Sequence, residues 1–135
     1  MKNFKLFVAA PLLLILAVQL TACKEHMEHD YFLIEVDSIS VPNTVEINKP
    51  FGLRFYGYIG HNGCYSFDRF VVDKQDKLIT IEAWGRKRIA SDKCNEVLVN
   101  MEGEKLDFVV DNPGNYLINI KQPGNTHMEL TVTGR

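Results

Sequence analysis

From Tyr31 to the C-terminus, apolar and polar residues alternate in short runs, and most runs end in a cluster of turn formers. Leu53 to Ile59 shows the pattern at its cleanest: Leu53, Phe55, Gly57 and Ile59 share one face, and Arg54, Tyr56 and Tyr58 the other. A period of two marks a half-buried strand. Gly60-His61-Asn62-Gly63 then signals a turn. In the next run, Cys64 to Asp73, Tyr65 and Phe67 lie on one parity and Phe70 and Val72 on the other. A β-bulge near Asp68-Arg69 reconciles the halves, because one extra residue flips the phase of a strand.

Upstream, Tyr31 to Val36 with Ile39 and Val41 reads as one strand, or two broken near Asp37-Ser38, and Thr44 to Ile47 as a short one. Downstream, Leu78 to Trp84 is a strand with Ile79, Ile81 and Ala83 together and Trp84 on the other parity. Gly85 to Lys93 reads as a polar, basic loop, and Glu102-Gly103-Glu104 as a turn after Val97 and Val99. Leu106/Phe108/Val110, Tyr116/Ile118/Ile120 and Met128/Leu130/Val132 complete the series. About eight or nine short strands, with turn signals roughly every 8–15 residues and no helical period, predict an all-β sandwich or barrel.

The first 22 residues follow a different rule. They hold Lys2 and Lys5 and no acid, then an apolar run from Leu6 to Leu20 broken only by Pro11 and Gln19. A run of about 15 residues behind a positive start is short for a spanning helix and fits a signal peptide better than a retained anchor. Its end, Leu20-Thr21-Ala22-Cys23, resembles the bacterial lipobox. The resemblance implies that Cys23 carries a diacylglycerol and becomes the mature N-terminus. More than one acyl chain, at about 0.8 kcal/mol per buried CH₂, anchors a protein stably. Lys24, where an Asp would hold an enteric lipoprotein at the inner membrane, implies an outer-membrane address. The expected organisation is a signal peptide over 1–22, a lipidated tether over 23–30 and one domain over 31–135.

Charge and cysteines then take on a clearer meaning. The whole chain has 17 acidic and 15 basic side chains, a formal charge of −2. Nucleic-acid binders show a basic excess, so that class is excluded. Removing the first 22 of 135 residues leaves 113 and takes away two lysines, so the mature chain is mildly acidic at −4. With Cys23 lipidated, Cys64 and Cys94 remain, and two exported thiols have a single possible pairing. A disulfide fits them better than a metal site, since no C-x-x-C spacing accompanies them.

The stretch Leu106-Asp107-Phe108, Asp111, Pro113-Gly114 and Tyr116-Leu117-Ile118 is similar to the tyrosine-corner region of Ig-like domains. There a Tyr early in a late strand ties its hydroxyl to upstream backbone. The resemblance implies an Ig-like Greek-key β-sandwich of about seven to nine short antiparallel strands. No Cys follows Tyr116, so Cys64 and Cys94 are not expected to form the inter-sheet bridge of antibody domains. Pro113-Gly114-x-Tyr116 with His127-Met128 also looks like the last ligand segment of a cupredoxin. Blue copper needs a Cys thiolate there, and the chain has Ile118, Asn119 and Ile120 instead. No metal or other cofactor is expected.

Chemistry-bearing residues are sparse. Ser38, Ser40, Ser66 and Ser91 lie in no nucleophile motif. His26 and His29, among acids, fit a solvated spacer better than a metal site. An enzyme would need His61 or His127 to converge with a carboxylate and a hydroxyl. Binding is the favoured class, because exposed aromatics stack on sugars or bury in protein partners. The candidates are Tyr56 and Tyr58 beside Arg54, then Trp84, and the basic tip Arg86-Lys87-Arg88, suited to lipid phosphates or an acidic partner. The expected function is a non-catalytic envelope lipoprotein that binds lipid through Cys23 and an envelope protein or glycan through its domain. Alternatives are a small inhibitor of a hydrolase, with an exposed loop near the disulfide, or a hydrolytic enzyme.

Overall fold

The computed structural model describes residues 28–89 and 93–135; the signal segment, Cys23 and the tether up to residue 27 lie outside that range. The described residues form β1 (His29–Leu33), β2 (Ser38–Ser40), β3 (Thr44–Val45), β4 (Phe51–Gly60), β5 (Tyr65–Gln75), β6 (Leu78–Arg88), β7 (Val99–Phe108), β8 (Gly114–Gln122) and β9 (Thr126–Gly134). Their one helical turn is a 3₁₀ turn at Pro123–Asn125. The protein is all-β, in two sheets.

A large sheet is organised around β6. β5 pairs with β6 along its length, from Tyr65↔Lys87 to Gln75↔Leu78. The opposite edge of β6 is shared end to end. β8 pairs with Leu78–Ile81, and β1 with Trp84–Arg88. β9 pairs with β8, and β3 with the end of β9. A small sheet has the order β2-β4-β7. Glu28 and the start of β1, the β4–β5 turn and residues 93–98 ahead of β7 gather at one end of the sandwich, the near end.

The alternation along β4 does what its period predicts. Leu53, Phe55 and Ile59 are buried and Arg54, Tyr56 and Tyr58 are exposed. Against them pack Ile79, Ile81 and Ala83 from β6, Tyr116, Ile118 and Ile120 from β8, and Val132 from β9. Phe55 meets Phe70 across the gap between sheets, with ring centroids 4.5 Å apart. Ile34 and Val36 pass through this core as the chain crosses from β1 to β2. The Tyr116 hydroxyl donates to the Asn112 carbonyl (2.9 Å) and accepts from the Asn112 amide (3.1 Å). Cys64 and Cys94 form a disulfide, with Cα atoms 5.3 Å apart. The register shift in β5 falls between Phe67 and Arg69, leaving Asp68 unpaired, as the phase slip requires.

Four expectations need correcting. Two of the strand pairings, β3–β9 and β6–β8, are parallel rather than antiparallel. Neither joins neighbouring segments, so no turn reveals them. The sheet begins at His29, two residues inside the expected tether, because β1 finds a partner along the end of β6. Gly85 to Arg88 continue β6 instead of opening a loop. A Cβ on Gly85 would lie 2.6 Å from the Phe32 ring, so this glycine marks a close approach. Finally, β7 runs through Gly103 without turning. Phe55 pairs with Glu104 and Tyr56 with Glu102, so Gly103 is the extra residue of a bulge, at φ 99°.

Candidate binding faces

The structure divides the expected binding residues among three places. Tyr56 and Tyr58 stand on the outer face of the small sheet, 38% and 46% exposed. Cross-strand neighbours surround them with polar groups: Glu102 and Ser38 beside Tyr56, Asn100 beside Tyr58, Lys105 and Ser40 beside Arg54. The bulge at Gly103 brings the β7 backbone under the Tyr56 ring, where a Cβ would lie 3.4 Å from the hydroxyl. Among the described residues, neither tyrosine hydroxyl nor the Arg54 guanidinium has a hydrogen-bond partner. The result is a face with two rings at alternate positions of one strand and a polar rim. Such a face can cover a sugar ring or the apolar centre of a protein contact.

Trp84 and Arg86 occupy the outer face of the large sheet, with different surroundings. Trp84 is half-buried between Leu33 on β1 and Arg69 on β5. Its Nε1 donates to Glu82 Oε2 (2.9 Å), and Lys121 Nζ donates to Glu82 Oε1 (2.6 Å). The Lys121 and Trp84 hydrogen bonds, in that order of weight, hold the Glu82 carboxyl below the usual carboxylate range. Arg86 Nε donates to Ser66 Oγ (3.2 Å), and its Nη1 lies 3.7 Å from Asp68. Arg69 pairs with Asp68 and lies over the Tyr31 ring, 5.4 Å from its centroid. A shallow depression of about 160 Å³ opens beside this network, lined by Val71, Asp73, Thr80, Glu82 and Lys121.

Lys87 and Arg88 lie at the near end of β6. Lys87 Nζ is 5.3 Å from the Tyr65 ring centroid, and the Arg88 amide donates to the Cys64 carbonyl (3.1 Å). The basic triplet is thus the end of a strand, with Arg86 on the outer face, Lys87 over Tyr65 and the Arg88 backbone bonded to Cys64. Three exposed apolar residues at this end were not offered as binding candidates by the sequence: Ile89 after Arg88, Leu98, and Val97, which was grouped with Val99 but lies ahead of β7. Leu98 is 67% exposed, Val97 51% and Ile89 48%. Their signal was an apolar run, Val97-Leu98-Val99, too long for a strict alternation. Tyr31, Arg69, Glu82 and Lys121 were also missed. For Glu82, its spacing of two from Trp84 on one strand face was the available clue.

The histidines do not share a site. His61 packs on Tyr65 in the β4–β5 turn, whereas His127 lies on β9 with Nε2 3.3 Å from Glu129. Among the described residues, no group of three His, Cys, Asp or Glu side chains is placed to hold a metal ion. Cys23 lies outside the described residues. Comparison with known protein families, with curated proteins and with solved structures finds no match to this chain.

Proposed function

We propose that this chain is a lipid-anchored protein of the bacterial cell envelope, addressed to the outer membrane, whose domain is a non-catalytic binding module. The anchoring part rests on the lipobox-like Leu20-Thr21-Ala22-Cys23 behind a basic, apolar leader. The Cys64–Cys94 disulfide is consistent with export, since such bonds persist in oxidising compartments. The observation that carries the binding part is the outer face of the small sheet. It presents Tyr56 and Tyr58, both exposed, with Arg54, Asn100, Glu102 and Lys105 around them. Aromatic and Arg side chains dominate the energetic centres of protein contacts, and a polar rim completes such a patch. The partner is an envelope protein or glycan.

The domain is read as Ig-like. Three features support this: the Tyr116 hydroxyl tied to Asn112 backbone, β4 and β7 adjacent while the β5–β6 hairpin lies in the other sheet, and β3 parallel to the last strand. The parallel β6–β8 pairing departs from the two antiparallel sheets of antibody domains.

Placing a photo-crosslinking residue at Tyr58 in the native envelope tests the binding face. A discrete adduct that disappears with Tyr56→Ala or Arg54→Ala supports it. An adduct indifferent to both, or none, removes this face from the proposal. Cys23→Ser should release the protein from the membrane fraction, and continued retention would count against the anchor.

A further inference from the structure

We propose that the near end of the sandwich is a membrane-docking surface, with Ile89, Val97 and Leu98 entering the interface of the phospholipid bilayer that holds the acyl chains of Cys23. The inference rests on the anchoring proposed above and adds a fixed orientation of the domain on its membrane.

The placement follows from where the chain leaves the fold. The Ile89 amide donates to the Glu28 carbonyl (3.1 Å), and Arg88 pairs with His29. The tether therefore departs beside Ile89. Five peptide steps from Cys23 to Glu28 reach at most about 18 Å, so an acylated Cys23 keeps this end near the headgroups. Residues 93–98, ahead of β7, stand at the same end. The Arg88 amide meets the Cys64 carbonyl, Cys64 is bonded to Cys94, and the Asn95 carbonyl accepts from Gly63 (2.8 Å). Val99 then pairs with Gly60. Val97 and Leu98 are held between these two fixed points, with Leu98 the most exposed large apolar side chain among the described residues.

The same end carries Lys87, Arg88 and Lys93, which suit lipid phosphates, but also Glu28, Asp30 and Glu96. Net charge there is too balanced to drive association, so the apolar side chains carry it. The acyl chains of Cys23 supply the anchorage, and the weaker contact of these side chains sets how the domain sits on the bilayer.

The test uses the full mature chain in phosphatidylethanolamine–phosphatidylglycerol vesicles containing brominated lipid. The parent has a single tryptophan, Trp84, which serves as the internal reference. Leu98→Trp should add emission that is blue-shifted and quenched by bromines near the interface, while that of Trp84 in the parent is not. Vesicles should slow amide exchange at residues 95–99, and Leu98→Asp should weaken that protection about tenfold, as expected for one buried aliphatic side chain. Unquenched emission from Leu98→Trp, with an acylated N-terminal peptide by mass, overturns docking and leaves the anchor standing. An unacylated N-terminal peptide removes the anchor and docking with it. A photo-crosslinker at Leu98 that captures protein rather than lipid in cells overturns the lipid assignment in favour of a protein contact.

Discussion

On the outer face of the large sheet, Glu82 is held by Trp84 and Lys121, Arg69 covers Tyr31, and Arg86 reaches Ser66 and Asp68. On the outer face of the small sheet, Arg54, Tyr56 and Tyr58 stand exposed among Asn100, Glu102 and Lys105. Both faces carry aromatic and cationic residues, and composition alone ranks them equally. The difference lies in what a partner would have to disrupt. On the large sheet it would break charge-assisted hydrogen bonds, which are stronger than neutral ones. On the small sheet it would displace water.

Removing the disulfide is the most severe way to disturb this contrast. Cys64 directly precedes β5 of the large sheet and Cys94 leads to β7 in the small one, with a sequence separation of 30. Cys64→Ser with Cys94→Ser should lower stability by about 3–4 kcal/mol in the chain-entropy picture, read by denaturant unfolding. Gly57→Ala acts on the small sheet alone. Its Cβ would lie 2.5 Å from the Glu35 carbonyl directly behind the Tyr56–Tyr58 face, and overpacking of this kind costs about 1–3 kcal/mol. Binding through that face should weaken with it.

Trp84→Phe, which leaves Glu82 with Lys121 alone, should cost about 1 kcal/mol on the large sheet. Glu82 also sharpens the contrast through pH. Its carboxyl is held below the usual range in the folded state, so its contribution is present above the unfolded value of 4.5 and is lost as pH falls through the folded value. Glu82→Gln should flatten that part of the acid limb in thermal melts; an unchanged acid limb would mean the network is not formed in solution. The smallest expected effect completes the comparison. Tyr56→Ala and Tyr58→Ala should each shift stability by about 0.5 kcal/mol or less, as exposed positions do, and Tyr56→Ala should also remove the crosslink formed from position 58. A large destabilisation at either would show that these rings hold the fold together.

Features that belong to one strand were legible in the sequence. Leu53-Phe55-Gly57-Ile59 against Tyr56 and Tyr58 set the two faces of β4, and the phase slip in β5 located the bulge at Asp68. Features that depend on a distant partner were not. Arg86, Lys87 and Arg88 look like a loop because they are charged and follow a glycine. They form a strand because β1 and β5 supply ladder partners on both edges, while their long side chains extend past the sheet end. Gly85 and Gly103 were each read as breaks. One accommodates the ring of Phe32 and the other is a bulge residue, and both functions depend on a neighbouring element. The network at Glu82 escaped notice because Lys121 is 39 residues away and reaches it only through the parallel β6–β8 pairing.

The shared edge of β6 has a mechanical consequence. Tension on the chain ahead of Glu28, directed away from the near end, enters β1 at His29 and runs along the strand axis. The five pairs from His29↔Arg88 to Leu33↔Trp84 are then loaded together in shear, instead of being peeled apart one at a time. Behind them, Ile34 and Val36 are embedded in the core and would have to be drawn out through it. The strand nearest any pulling point is thus the one best placed to transmit force to the whole domain before yielding.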